Sequence, residues 1–293
     1  MFPISYVQPA NLDEALSLLK DNDGSTVVMA GGTDLLLRFR SGKLGAKRVV
    51  SLELPELQTI EQRSDATLIG ASVKLTDLIR ALQNAAQPMP MVVESAASVG
   101  SCQTRNLATI AGNFCTGNAS ADMATALLAA NSSVIIRSAE GERELPIDQF
   151  FIRNRCVALA PNEIVTAIRI PHADPTLTVG SSFMKIGKRR GHVIAALNGA
   201  AMVGLDADGV IRDIRLAVGT LAPCPIRLYR CEQAALNRPL DDALLAQLSE
   251  LMLEEISPRD SLRASKEFRT SVAPVVLRRT IRLAAGLEED ELC

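Results

Sequence analysis

The sequence predicts an α+β protein built from more than one compact unit. Three observations lead there. Helical and strand patterns alternate over roughly the first 55 residues, strands and a hairpin follow up to a proline-bearing break at 171–175, and beyond it strands give way to a block of helices. At 293 residues the chain exceeds one typical domain core, so two or three units are expected.

Each element has a local reason. Asn11 followed by Glu14 suits a capping box, and Leu12, Ala15, Leu16, Leu18 and Leu19 then give a helical face to about Lys20. Strands are expected at 26–30, 48–52 and 67–71. Thr76 is placed to cap a helix holding Leu78, Ile79 and Leu82, and 122–130 reads as another helix. Residues 134–137 and 143–145 around Ala139-Glu140-Gly141 read as a hairpin, and 163–170 as a strand with apolar residues at 164, 165, 168 and 170. Pro171-His172-Ala173-Asp174-Pro175 breaks the pattern. Strands near 181–187, 194–204 and 212–218 then precede helices near 227–236, 240–256 and 271–287, which predicts helices on one face of an antiparallel sheet. The expected units are 1–55, 56–175 and 176–293.

Composition excludes several roles. Net charge is -2, from 31 basic and 33 acidic residues, which gives no electrostatic reason to expect nucleic acid or an anionic membrane as partner. No basic region followed by a long apolar stretch opens the chain, and no run approaches 18 apolar residues, so neither a signal peptide nor membrane insertion is expected. Six cysteines, at 102, 115, 156, 224, 231 and 293, lie far apart with no C-x-x-C pair. Free thiols in a reducing, cytoplasmic setting are expected, with no disulfide framework, iron–sulfur site or other metal centre in this chain. His172 and His192 lack any ligand spacing.

Two loops carry the candidate chemistry. In the first, the apolar run Thr26-Val27-Val28-Met29-Ala30 stops at Gly31-Gly32 and continues Thr33-Asp34-Leu35. Glycine permits positive φ and lets a phosphate approach backbone N–H groups. A carboxylate beside a diphosphate would repel it, so Asp34 is expected to accept backbone N–H bonds and fix the turn. The second loop runs Gln103-Thr104-Arg105-Asn106-Leu107-Ala108-Thr109-Ile110-Ala111-Gly112-Asn113, with Asp122 downstream. Taken alone, either loop reads as an ordinary turn, Asp122 equally as a helix N-terminal residue favoured by the dipole, and Lys185 as a solvated strand residue. No G-x-G-x-x-G or P-loop motif occurs.

The order of these segments resembles the FAD-binding subunit of molybdenum hydroxylases, the xanthine dehydrogenase and carbon monoxide dehydrogenase group. The match covers nearly the whole chain. It runs from Tyr6-Val7-Gln8-Pro9-Ala10 through both loops, Ile69-Gly70-Ala71, Glu163-Ile164-Val165 and Lys185 to Ala222-Pro223-Cys224-Pro225-Ile226-Arg227 and Ser261-Leu262-Arg263-Ala264-Ser265-Lys266-Glu267-Phe268-Arg269.

The resemblance implies a PCMH-type (vanillyl-alcohol-oxidase-like) FAD-binding domain of two α/β lobes followed by an α+β C-terminal domain. It also implies cofactor contacts from Val27, Val28, Met29, Ala30, Gly31, Gly32, Thr33, Asp34 and Leu35 around the pyrophosphate. Ala108, Thr109, Ile110, Ala111, Gly112 and Asn113 would run past the flavin and pyrophosphate, Asp122 would hold the adenosine ribose, Ile164 would line the cofactor and Lys185 would lie near the flavin ring. Ala111 stands where the family usually has glycine, and Val193 where it often has Asp; His192 precedes Val193 and the basic run Lys188-Arg189-Arg190 lies just upstream.

The implied function is electron transfer through non-covalent FAD, from [2Fe–2S] clusters to NAD⁺ or another acceptor, in a xanthine, purine or N-heteroaromatic dehydrogenase. Molybdopterin and [2Fe–2S] would belong to partner chains, a large and a small subunit, and no catalytic residue is assigned here. Two rivals remain open: a stand-alone FAD-dependent oxidase or reductase of the same fold, and a structural or assembly protein that has lost its flavin.

Overall fold

The structure is a computed structural model that describes residues 4–85, 87–189 and 193–287. Its first part runs β1 (Ser5–Val7), α1 (Leu12–Leu19), β2 (Thr26–Met29), α2 (Leu35–Arg40) and β3 (Arg48–Ser51). The strands form a parallel sheet of order β1-β3-β2. Asn11 caps α1, accepting from the Glu14 N–H at 2.9 Å, while the Glu14 carboxylate reaches back to the Ala10 N–H at 2.7 Å. Leu12, Ala15, Leu16 and Leu19 pack against Val50, Leu52, Leu54, Leu57 and Ile164.

The chain continues through β4 (Ile60–Gln62), β5 (Ala66–Gly70), α3 (Leu75–Gln83), α4 (Pro90–Ser98), α5 (Cys102–Arg105), α6 (Ile110–Phe114) and α7 (Asp122–Ala129). Then come β6 (Ser133–Ser138), β7 (Gly141–Pro146), β8 (Phe151–Arg153), β9 (Cys156–Val157) and β10 (Ile164–Pro171). Five of these strands form an antiparallel sheet of order β4-β5-β10-β6-β7. Thr76 does not cap α3. It lies inside the helix, whose cap position is Lys74, and its hydroxyl donates to Asn106 Oδ1 at 2.7 Å.

The last part holds β11 (Thr178–Ile186), β12 (Leu197–Leu205), β13 (Ile211–Gly219) and β14 (Ile226–Arg227), antiparallel in that order. They are followed by α8 (Tyr229–Ala235), α9 (Asp242–Glu255) and α10 (Lys266–Ala284). The last helix starts earlier than its apolar pattern suggests, because Ser265 caps it by accepting from the Phe268 N–H and Pro274 is tolerated inside it.

Period-2 alternation explains how this sheet sits. Leu197, Ala201 and Val203 of β12, with Ile214, Leu216 and Val218 of β13, face the core shared with α8, α9 and α10. Ala200, Met202 and Ala217 face the other way, into the core that contains α7. Helices therefore cover both faces, not one. Every residue of α7 is buried, as expected for a short helix enclosed by protein on all sides. Among the described residues no helix is long and apolar enough to cross a membrane.

Candidate functional site

A cleft of about 610 Å³ opens where the loop after β2, the segment around α6, the N-terminus of α7 and strand β11 converge. That volume falls in the range of small-molecule and cofactor sites. Of the residues expected here, Val28, Met29, Ala30, Gly31, Gly32, Thr33, Asp34, Leu35, Ala108, Thr109, Ala111, Gly112, Asn113, Asp122, Ile164 and Lys185 line it. Val27 and Ile110 do not. Val27 alternates to the opposite side of β2 from Val28, and Ile110 is fully buried in the core beneath α6.

The first loop owes its shape to its two glycines, for different reasons. Gly32 has φ +68°, a left-handed conformation that side chains oppose. At Gly31 a Cβ would stand 1.8 Å from the Leu107 carbonyl oxygen, so the two loops touch backbone to backbone. Among the described residues, the N–H groups of Gly31, Gly32, Thr33, Asp34 and Leu35 find no protein acceptor. Five consecutive free donors around a left-handed residue make a concave nest suited to an anion. The Asp34 side chain does not fix the turn. Its backbone is αR (φ -103°, ψ -44°), not the extended form from which a cap side chain reaches back, and it makes no capping bond. Instead Asp34 lines a second concavity together with Arg38, Lys43 and Arg155.

The second loop spends its N–H groups on the chain with one exception, Thr109, whose N–H has no acceptor among the described residues. Ala108, Ile110, Ala111 and Asn113 donate to the carbonyls of Thr104, Val73, Ala71 and Thr109, and Gly112 donates to the Thr109 hydroxyl that caps α6. The Ala111 side chain, where a second glycine was the family expectation, is 6% exposed and belongs to the core. Asn113 Oδ1 accepts from the Met123 N–H, tying this loop to the start of α7.

At the far wall Lys185 Nζ donates to Asp122 Oδ2 at 2.6 Å and to the Ser98 carbonyl at 3.0 Å. Asn198 Nδ2 donates to Asp122 Oδ1 at 2.8 Å. The two ionic side chains are 9% and 6% exposed. Burial pushes the Asp122 carboxyl up, and the nearby Lys185 ammonium and the Asn198 amide pull it back down. Asp122 was expected at the ribose and Lys185 at the flavin ring, yet the structure joins them in one ion pair. Each carboxylate oxygen holds one protein donor, and Asp122 still lines the cleft.

Other lining residues were not among the expected cofactor contacts. Leu52, Leu159, Val165, Val193 and Ile194 make an apolar wall, and Ser72, Thr104, Thr116, Asn118 and Ser120 add polar groups. Of these, Thr104 lies in the second loop, Val165 and Val193 lie in segments that the resemblance marks, and the others carry no local sequence signal. Arg190 and His192 lie outside the described residues. Cys115 also lines the cleft, and burial pushes its thiol up to about 12, so reactive thiolate is scarce. Among the described residues no group of His, Cys, Asp and Glu has the makings of a metal site. The described cysteines 102, 115, 156, 224 and 231 are all free.

Comparison with known proteins gives the site its context. Residues 2–173 match the family model described as the FAD binding domain in molybdopterin dehydrogenase, and residues 182–284 match the CO dehydrogenase flavoprotein C-terminal domain. The xanthine dehydrogenase FAD-binding subunit of Escherichia coli O157:H7 is 36% identical over 284 residues, covering 96% of each chain. The caffeine dehydrogenase subunit beta of Pseudomonas sp. (strain CBB1) is 27% identical, over 96% of this chain and 94% of the relative. Among solved structures, carbon monoxide dehydrogenase from Hydrogenophaga pseudoflava superposes with a TM-score of 0.91 at 24% identity, covering 98% of this chain and 99% of the other, a likeness of fold.

Proposed function

The chain belongs to the FAD-binding subunits of the molybdopterin dehydrogenases, and from that premise we propose that it is the electron-transfer flavoprotein of a molybdenum hydroxylase acting on a purine or related N-heteroaromatic. The observation that carries this reading is the row of five free N–H groups at 31–35 in the same cleft as the Lys185 ammonium. Relatives named for xanthine and caffeine, both purines, support the substrate class. On this reading 1–55 and 56–175 are the two lobes of the FAD-binding domain and 176–293 the C-terminal domain.

The residues present fit FAD. The nest at 31–35 would hold the diphosphate, and the apolar wall of Val28, Leu52, Leu159, Ile164, Val165, Val193 and Ile194 would cover the ring system and exclude water. We place the Lys185 and Asp122 pair at the ring end, where the Lys185 ammonium would favour the reduced cofactor and Asp122 would keep the lysine charged. Bound FAD would supply the redox chemistry, between [2Fe–2S] clusters of a small partner chain and NAD⁺ or another acceptor. Molybdopterin and the substrate belong to a large partner chain. FAD is held without a covalent bond, and the free thiols suit a cytoplasmic setting.

Chemically, the described cleft offers no acid–base pair: Asp122 is locked to Lys185, the Cys115 pKa is raised, and Asp34 is a single carboxylate with no second acid or base among the other lining residues. Anaerobic xanthine should therefore leave the flavin band of the isolated FAD-loaded chain unchanged, and bleach it once the two partner chains are added. Rapid bleaching of the isolated chain would overturn the relay reading in favour of a stand-alone oxidase.

A further inference from the structure

Asn198 is a fully buried amide in a strand whose other residues are almost all apolar or glycine. A buried amide is costly unless its hydrogen bonds are made, and a strand needing only to pack would hold an aliphatic residue there. Here they are made on both sides. Nδ2 donates to Asp122 Oδ1 at 2.8 Å, and Oδ1 accepts from the Thr125 hydroxyl at 2.9 Å, which fixes the amide's orientation.

The sheet also makes room for it. Lys185, Asn198 and Gly219 are register partners across β11, β12 and β13, so they form one row on the face toward α7. A Cβ on Gly219 would stand 2.2 Å from Asn198 Oδ1 and 2.8 Å from the Thr125 hydroxyl, so any other residue would push the amide off its partners. At the end of the row, Lys185 spends two N–H groups on Asp122 and Ser98, and the third has no acceptor among the described residues. Burial pushes the Asp122 carboxyl up, so each donor that reaches it matters for keeping it ionised.

We infer that Asn198 is a positioning residue for the flavin site: it holds the Asp122 carboxylate in place so that Lys185 presents its remaining N–H and its positive charge to the bound ring. The sheet of the C-terminal part thereby sets the charge that the cofactor meets. This rests on the reading of the cleft as the FAD site.

The test compares Asn198→Asp and Asn198→Val in the full chain. FAD is titrated into the flavin-stripped protein by fluorescence quenching, and the flavin midpoint potential is measured in the reloaded protein. Asn198→Asp keeps the shape but sets an oxygen where the carboxylate needs a donor. Both variants should bind FAD roughly tenfold more weakly or worse, the factor expected for a lost bond to a charged group. At alkaline pH, where the two facing carboxyl groups no longer share a proton, Asn198→Asp should also lower the midpoint potential by adding negative charge next to the Lys185–Asp122 pair. Wild-type affinity and potential in Asn198→Asp would overturn the inference, even with Asn198→Val impaired, because only packing would then be at stake. If neither variant folds, Thr125→Val decides: it removes only the hydroxyl that orients the amide, and should weaken FAD binding by a smaller factor. Unchanged affinity and potential there would equally overturn the inference. Failure of the wild-type chain to take up FAD would instead refute the reading of the cleft.

Discussion

Among the described residues, five consecutive N–H groups in the loop at 31–35 have no protein acceptor, whereas in the loop at 108–113 Ala108, Ile110, Ala111, Gly112 and Asn113 donate within the chain and Thr109 alone does not. The two loops touch, through Gly31 and the Leu107 carbonyl, and both line the same cleft. Yet one keeps its donors free for a ligand and the other, Thr109 apart, spends them on its own fold. Glycine content does not distinguish these tasks; the accounting of backbone donors does.

If that contrast is right, substitutions should separate cleanly by loop. Gly31→Ala should have the largest effect. Its Cβ cannot coexist with the Leu107 carbonyl, so the loops must part, and FAD occupancy after purification should fall to near zero. Gly32→Ala should come next. The new methyl meets only the flexible ends of Met29 and Leu36, at 3.2 and 3.3 Å, so the cost is the left-handed backbone, roughly 1–2 kcal/mol. A rise of roughly tenfold in the FAD dissociation constant should accompany it, read by equilibrium dialysis. Ala111→Gly, which restores the residue usual in the family, should be the mildest. It removes a core methyl from a helix whose N–H is already committed, so chemical denaturation should show a loss of about 0.5–1 kcal/mol with FAD affinity unchanged. Tighter FAD binding by Ala111→Gly would mean that the second loop also holds the cofactor through its backbone.

Much of the fold was legible because its signals are local. The cap at Asn11, the strand that halts at Gly31, the hairpin at 133–146 and the order of strands then helices all depend on residues close in sequence. Legibility stopped where function depends on pairing across the chain. Asp122 and Lys185 stand 63 positions apart, and nothing in either neighbourhood states that they meet. Asn198 carried a signal that went unread: a lone amide in the apolar run Leu197-Asn198-Gly199-Ala200-Ala201 violates the pattern of a buried strand and so points to a partner. The second covered face of the last sheet was hidden too, since a strand buried on both sides loses the alternation that would reveal its faces.

That doubly covered sheet has a consequence for the newborn chain. Helix α7 is complete by residue 129, but the strands that seal its flank are not synthesised until residues 197–219. At ribosomal rates of roughly 5–20 residues per second, several seconds pass during which an apolar helix stands without its cover. The cleft wall that Asp122 begins is thus finished late, by a segment that must arrive, pair and dock before the early part of the molecule can bury its own interior.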